Sequence, residues 1–288
     1  MLIISALITG LGLGSMYGLL ALGFHVTYAV SATVNFAQGS SMMLGAVFAY
    51  ALATRLGFPL ALAVPVSLLL CAAYGALVER LAVRPFASRG SNAWLMATVA
   101  LGIVVDNAVL FTFGKEPRGF QWTQGGMDVA GIHVSYIQMF IPLAGIAFAF
   151  LLSFFSNRTR LGKAMLAVVQ NPDAARLMGI NVPVAITAAF ALSTVLAGAA
   201  GILIAPLFNV NADMGTVFGL KAFAVAILGG ISSAWGVMLA GLLFGVVEAL
   251  ITALLGSTYT QILTFTLVIV ALALKPNGLF GRAEVKKV

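Results

Sequence analysis

Two carboxylates have the clearest potential for chemistry in this sequence, because both lie inside long apolar runs. Asp106 and Glu248 are far apart in a chain of 288 residues whose charged fraction is only 8%. An ionisable side chain is costly in lipid, so each should face the interior of a helix bundle. The two could form a proton relay, but neither has a basic partner in its own apolar run. We therefore favour helix-packing hydrogen bonds, or the wall of a polar cavity, as their roles.

The other reactive side chains point away from enzyme chemistry. His25 and His133 are widely separated and lack acidic neighbours, and Cys71 is the only cysteine. These spacings predict neither a metal site nor a disulfide framework. Lys163 is followed by Ala164, where a nucleotide-binding P-loop requires Ser or Thr. With no nucleophile elbow or HExxH motif either, we predict that this chain has no catalytic residue and binds no metal or cofactor.

The composition is that of a helical membrane protein. Hydrophobic residues make up 61% of the chain, and several runs reach the roughly 20 residues that cross a hydrocarbon core of about 30 Å. The net charge of +7 lies in the polar stretches, so membrane topology explains it without nucleic acid. No cleavable signal is expected, because the first basic residue is Arg55. We predict an all-α, polytopic membrane protein in which residues 1–288 form a single transmembrane domain of eight or nine spans.

Charge asymmetry between the polar stretches predicts the orientation. The loop 79–89 and the stretches 157–182 and 275–288 carry net charges of +2, +3 and +3, whereas 114–135 is neutral and 206–216 is −1. By the positive-inside rule, the first three are cytoplasmic and the other two external. The uncharged N-terminus favours an external start.

The uncharged polar stretch 31–41, SATVNFAQGSS, decides between eight and nine spans. It is either a break in a discontinuous helix inside the membrane or a turn at the membrane surface. In the first case its polar side chains face a translocation pathway. The predicted pathway residues are Asn35, Gln38, Ser40, Asp106 and Glu248.

A glycine face marks the first apolar run. Gly10, Gly14 and Gly18 recur every four residues and so share one side of a helix. In lipid, small residues of this kind let another helix approach closely. We predict that this face is buried against a second helix.

The basic stretch 157–182 carries signals for a short helix. Asn171 is a good N-cap, Pro172 suits the first helical position and Asp173 complements the helix dipole. Gly179 can adopt the left-handed conformation that ends a helix. We predict a short amphipathic helix held beside the membrane. Its apolar face carries Ala174, Leu177 and Met178.

Three stretches together resemble a known family. They are 35–46 (NFAQGSSMMLGA), 158–182 (RTRLGKAMLAVVQNPDAARLMGINV) and 219–250 (GLKAFAVAILGGISSAWGVMLAGLLFGVVEAL). They are similar to the permease subunits of branched-chain amino acid ABC importers of the LivH type, and the likeness covers essentially the whole chain. The resemblance implies a type II-like importer fold in the bacterial inner (plasma) membrane.

The resemblance also implies partners. These are a second homologous permease, two cytoplasmic ATPases that use ATP and Mg, and a periplasmic substrate-binding protein. The coupling helix that sits in an ATPase groove would comprise Asn171, Pro172, Asp173, Ala174, Ala175, Arg176, Leu177, Met178 and Gly179.

The cargo stays open. Family members often have His and then Glu after the NFA triplet, where this chain has Gln38 and Ser40. Branched-chain or other hydrophobic amino acids are the first expectation, with urea, short amides or aromatic acids as the alternative. An ATP-independent channel and a proton-coupled carrier are further hypotheses.

Overall fold

The structure is a computed structural model that describes residues 2–87, 89–120, 125–129 and 132–281. Helices dominate, and the only strands among the described residues form one antiparallel hairpin in which Gly126 pairs with Ser135. The elements are α1 (Leu2–Ser31), α2 (Gln38–Tyr50), α3 (Leu60–Val78), α4 (Arg84–Ala87), α5 (Trp94–Phe113), β1 (Gly126–Val129), β2 (Ile132–Ser135), α6 (Tyr136–Arg158), α7 (Arg160–Gln170), α8 (Pro172–Leu177), α9 (Val182–Phe208), α10 (Met214–Gly229), α11 (Ala234–Leu255) and α12 (Ser257–Leu274).

Seven helices in the described part of the chain are long and apolar enough to cross a membrane. They are α1, α3 with its continuation to Ala87, α5, α6, α9, α11 and α12. This confirms the prediction of an all-α, polytopic membrane protein. A count of eight or nine is reached only by adding α10, with 16 residues, and α2, which a π-helical turn at Ala51–Arg55 extends from 13 to 18 residues. At 1.5 Å per residue these helices span about 24 and 27 Å. Both are shorter than a hydrocarbon core of about 30 Å.

The loop predicted at 79–89 is wrong for most of its length. The chain stays helical from Leu60 to Ala87, through a π-helical turn at Glu79–Val83 and then α4. Pro85 follows the π-helical turn, in which the amide of Arg84 bonds the carbonyl of Glu79 five residues back, and a residue without an amide donor is accommodated at this shift in the hydrogen-bond ladder. The basic residues of this stretch therefore project from a helix end.

Burial separates a central pair of helices from the periphery. In the most apolar part of each helix, 78% of α9 and 56% of α1 are buried, against 17% for α5, α6 and α12. Both central helices are rich in glycine, alanine and serine, which allow close approach where lipid supplies no hydrophobic drive for association. The peripheral helices leave apolar faces for lipid or another subunit.

The glycine face of α1 packs against α11. A Cβ atom added at Gly10 or Gly14 would lie 2.7 Å from the Cα of Val246 or Leu242 respectively. At Gly18 it would lie 2.6 Å from the sulfur of Met238. The residue numbers of the contacting positions increase along α1 as they decrease along α11, so the two helices run antiparallel. Their backbones are in close contact.

The stretch 31–41 forms a break inside the bundle. Helix α1 ends at Ser31, Ala32 takes a left-handed φ of 53°, and the chain turns back before α2 begins. Gln38 Nε2 donates to the carbonyl of Ser193 at 3.1 Å, and Ser193 Oγ donates to the carbonyl of Gly23 at 2.8 Å. The first residue of α2 therefore lies level with Gly23, about 12 Å inward from the end of α1. Of the two alternatives, the discontinuous helix is the one that the structure contains.

Backbone contacts distinguish the two ends of the bundle. At one end, Arg118 and Val210 exchange backbone hydrogen bonds of 2.9 and 2.8 Å, which joins the two loops predicted to be external. At the other end, Arg84 Nη2 lies 3.4 Å from the carbonyl of Pro183, so the basic stretches meet there. The predicted basic tail contacts this end through Leu279, and residues 282–288 lie outside the described part.

Candidate functional site

Residues 159–181, here called the knob, form two short helices at the basic end of the bundle. Thr159 Oγ1 accepts a hydrogen bond from the amide of Gly162 at 2.9 Å and caps α7. Asn171 Oδ1 accepts from the amides of Asp173 and Ala174, each at 3.0 Å, and caps α8. Asn181 in turn caps α9. Each of these three helices therefore begins on a cap that satisfies one or two of its otherwise unpaired amides.

The knob is anchored to the bundle on one side and open on the other. Met165, Val168 and Ala175 are buried, whereas Leu177 and Met178 are 90% and 82% exposed. Gly179 ends α8 with a φ of 80°, a left-handed conformation that glycine adopts at no steric cost. The face of Ala174, Leu177 and Met178 therefore stands free of the bundle. Bare apolar side chains on a rigid projection are typical of a docking site.

A buried carboxylate joins the end of α3 to the base of the knob. Arg84 donates to both oxygens of Glu79 at 2.9 and 2.8 Å, and Thr187 Oγ1 lies 3.0 Å from Glu79 Oε2. Glu79 is only 2% exposed. Since Thr187 lies in the second turn of α9, this network links α3 to the helix that follows the knob. Glu79 and Arg84 lie in the stretch predicted from the sequence as a basic loop, and nothing in that stretch indicates a partner on α9.

Neutralising Glu79 should loosen this link. Glu79→Gln keeps the size of the side chain and one carbonyl acceptor but removes the negative charge. We expect the free energy of unfolding to fall by about 1–2 kcal/mol. Hydrogen bonds to charged groups are worth about 1.5–3 kcal/mol, and the half-exposed Arg84 side chain reduces that through solvent screening. Thermal unfolding of the purified permease measures the effect. The exposed neighbour Arg80 is the control, because Arg80→Gln should change stability by about 0.5 kcal/mol or less; equal shifts would contradict the prediction.

A second site, here called the Asp106 cavity, lies where the first turn of α2 meets α5 and α10. Its volume is about 180 Å³. The aromatic and polar residues that line it are Phe24, Phe36, Ser40, Asp106, Thr216 and Phe223. Asp106 Oδ1 is buried and accepts no hydrogen bond from the residues that the structure describes. The cavity thus combines apolar walls with one carboxylate and two hydroxyl groups.

The predicted pathway residues separate into three groups. Ser40 and Asp106 share the Asp106 cavity. Asn35 and Gln38 are fully buried and hydrogen-bond to each other at 3.3 Å, so they shape the break before α2. Glu248 lies elsewhere, on α11.

Glu248 has a basic partner that the sequence analysis missed. Lys221 Nζ, on α10, lies 2.5 Å from Glu248 Oε1, and both side chains are about nine-tenths buried. Tyr17, on α1, presents its ring 6.0 Å from the same ammonium group. In a buried ion pair of this kind each charge offsets the desolvation cost of the other, whereas either charge alone would be costly inside the bundle. The two residues are 27 positions apart on different helices, so no pattern within either helix indicates the pairing.

This architecture defines a class: a polytopic helical membrane protein with an interrupted helix, an open cavity between helices and a structured projection at its basic end. The chain belongs to the family described as branched-chain amino acid transport system / permease component, whose model matches residues 6–272. The resemblance noted in the sequence is thereby confirmed. With the seven membrane-length helices, membership of this family confirms a multi-pass inner-membrane permease.

Relatives of the chain are similar over nearly its whole length. It is 34% identical to the high-affinity branched-chain amino acid transport system permease protein BraD of Pseudomonas aeruginosa, over 98% of this chain and 97% of that protein. It is 32% identical to LivH of Escherichia coli, a protein of the same description, over 97% and 96%. A shorter match, 34% identical over 45% of this chain and 37% of the relative, is to the galactose/methyl galactoside import permease protein MglC of Salmonella typhimurium.

Proposed function

We propose that this chain is the transmembrane permease subunit of an ATP-driven importer for branched-chain or other hydrophobic amino acids. The observation that carries the proposal is the knob, a capped projection with two bare apolar side chains, on a chain whose sequence has no nucleotide-binding motif. Energy then enters through separate subunits. The partners are two cytoplasmic ATPases that hydrolyse ATP with Mg, a second homologous permease and a periplasmic substrate-binding protein.

Residues 171–179 would serve as the coupling helix in this assembly. The caps at Asn171 and Asn181 lie on either side of α8, and the buried side of the knob packs on the bundle. A push on Leu177 or Met178 therefore moves the knob as a rigid body instead of bending it. Such a movement would be transmitted to α9, the most buried of the membrane-length helices, through the short connection at 178–181.

The cargo follows from the relatives. Those matched over nearly the whole chain are named for branched-chain amino acids, whereas the galactoside permease matches less than half of it. The same machinery for urea, short amides or aromatic acids is the second candidate. It is favoured by Gln38 and Ser40, which replace the His and Glu often present after the NFA triplet.

Charging the apolar tip of the knob should abolish assembly with the ATPase. In the double variant Leu177→Asp, Met178→Asp, two bare docking side chains become anions, and we expect binding to weaken at least about 30-fold, the effect of losing one interface hot spot. The fold should survive, because both side chains are exposed. Co-purification of the ATPase and ATP-dependent leucine uptake into proteoliposomes measure the effect.

A matched control lies at the opposite end of the bundle. Leu56 is 64% exposed, and Leu56→Asp should leave the ATPase bound. Full co-purification and uptake in the double variant would refute the coupling role. Leucine flux through the wild-type permease without ATPase or ATP would instead support a channel.

A further inference from the structure

The Asp106 cavity contains a carboxylate with no cation to balance it among the described residues. The ion pairs that the structure gives to acids of the membrane-length helices and their ends use Glu79 and Glu248, each with its own basic partner. Asp106 has none, and its Oδ1 is both buried and without a hydrogen bond from the described residues. A buried acceptor left unsatisfied is costly. The hydroxyl groups of Ser40 and Thr216 lie within reach of the Asp106 carboxylate, but neither supplies the positive charge that would balance it.

The walls of the cavity restrict what that donor is attached to. Phe223 packs against Phe24 and Phe36 with ring centroids 5.5 and 5.2 Å apart, which makes one side aromatic. Ser40 and Thr216 supply hydroxyl oxygens near the carboxylate. An ammonium group has three donors, and its charge is attracted by carboxylates and aromatic faces. An aliphatic side chain attached to the same molecule would contact the apolar wall of the cavity.

We propose that the Asp106 cavity binds the ammonium group of a hydrophobic amino acid during its passage through the permease. The inference rests on the proposed function and sharpens its substrate class. Asp106 accepts one N–H of the ammonium group, while the hydroxyl oxygens of Ser40 and Thr216 accept the others. Urea and short amides carry no positive charge, so they would leave the carboxylate unbalanced. At about 180 Å³ the cavity suits one small molecule, since pockets for drug-sized ligands measure roughly 300–1,000 Å³.

The cavity can be tested by protection of a reporter thiol. Leu220 lines the cavity and is 58% exposed, and the native Cys71 is fully buried, so Leu220→Cys introduces one accessible thiol. The permease complex in proteoliposomes is treated with a water-soluble methanethiosulfonate reagent. Leucine should slow the modification, whereas 4-methylpentanoate, which has the same side chain without the ammonium group, should not.

The role of the charge is tested by adding Asp106→Asn. Loss of a charge-assisted hydrogen bond should raise the leucine concentration needed for protection roughly ten- to a hundredfold. The matched control is Val217→Cys, a half-exposed position on the same helix that does not line the cavity, where leucine should have no effect. An unchanged melting temperature shows that the Asn variant is folded.

The outcomes separate this inference from the proposed function. The inference would be overturned if leucine protected the thiol equally well with Asp106 and with Asn at that position, or if 4-methylpentanoate protected it as well as leucine. It would also be overturned if leucine gave no protection in a complex that imports leucine. A wild-type complex with its ATPases that imports no hydrophobic amino acid would overturn the proposed function instead, whatever the thiol reports.

Discussion

Lys221→Met should strongly destabilise the permease, because it leaves the Glu248 carboxylate in the bundle without its counterion. The ammonium and carboxylate groups are 2.5 Å apart and both are nearly buried. Removing one partner of a buried pair costs about 3–5 kcal/mol, a large share of the roughly 5–15 kcal/mol that stabilises a typical domain. Methionine fills most of the space of the lysine side chain, so the loss of stability comes mainly from the missing charge and not from a cavity. Yield in detergent and thermal unfolding measure the loss.

The reciprocal and double variants identify the cause. Glu248→Leu should also destabilise, since it leaves the lysine without its counterion. The double variant Lys221→Met, Glu248→Leu should regain most of the stability, because apolar replacement of both partners is often neutral or stabilising. A double-mutant cycle on these three variants yields the coupling energy. If the two single losses simply add in the double variant, the pair has no net coupling and the interpretation fails.

The antiparallel crossing of α1 and α11 should tolerate no side chain at Gly14. A Cβ atom there would lie 2.7 Å from the Cα of Leu242 and 2.8 Å from the carbonyl oxygen of Gly241, so the backbones must separate. We expect Gly14→Ala to cost about 1–3 kcal/mol, as overpacking of a core does. Gly14→Leu, with three more carbon atoms at the same place, should exceed this range and prevent accumulation of folded protein.

The neighbouring Gly12 provides the control for this crossing. It is also buried, but the nearest atom to an added Cβ there is the carbonyl oxygen of Gln138 at 3.9 Å, an ordinary contact. Gly12→Ala should therefore be neutral or gain up to about 1 kcal/mol from its higher helix propensity. Thermal unfolding of the two alanine variants side by side tests the contrast. Similar shifts for both would mean that the crossing is less tight than the contacts indicate.

The consequences of these predictions differ along the proposed transport cycle. Disrupting the Lys221 pair or the Gly14 crossing should destabilise the bundle itself, and so lower every activity together. Charging Leu177 and Met178 should leave the bundle intact and remove only the ATPase. Asp106→Asn should leave both intact and change only how cargo is held. Assays of folding, assembly and protection by cargo can therefore be read independently.

Local features of the chain were predictable from sequence because the interactions that produce them span a few residues. Asn171 caps α8 through amides two and three positions away, and Gly179 ends it. The four-residue spacing of Gly10, Gly14 and Gly18 requires only that the segment be helical to form one face. Hydrophobic length alone predicts membrane spans.

Partners brought together by helix crossings were not predictable in this way. Lys221 and Glu248 are 27 residues apart, Glu79 and Thr187 are 108 apart, and Gln38 and Ser193 are 155 apart. Each contact depends on the rotation and depth of two helices, which the packing of the whole bundle sets. Sequence alone thus determined the class of protein, its capped knob and its glycine face. Only the tertiary structure decided that α2 begins inside the bundle, that Glu248 is paired with Lys221 and that Asp106 has no balancing cation among the residues that the structure describes.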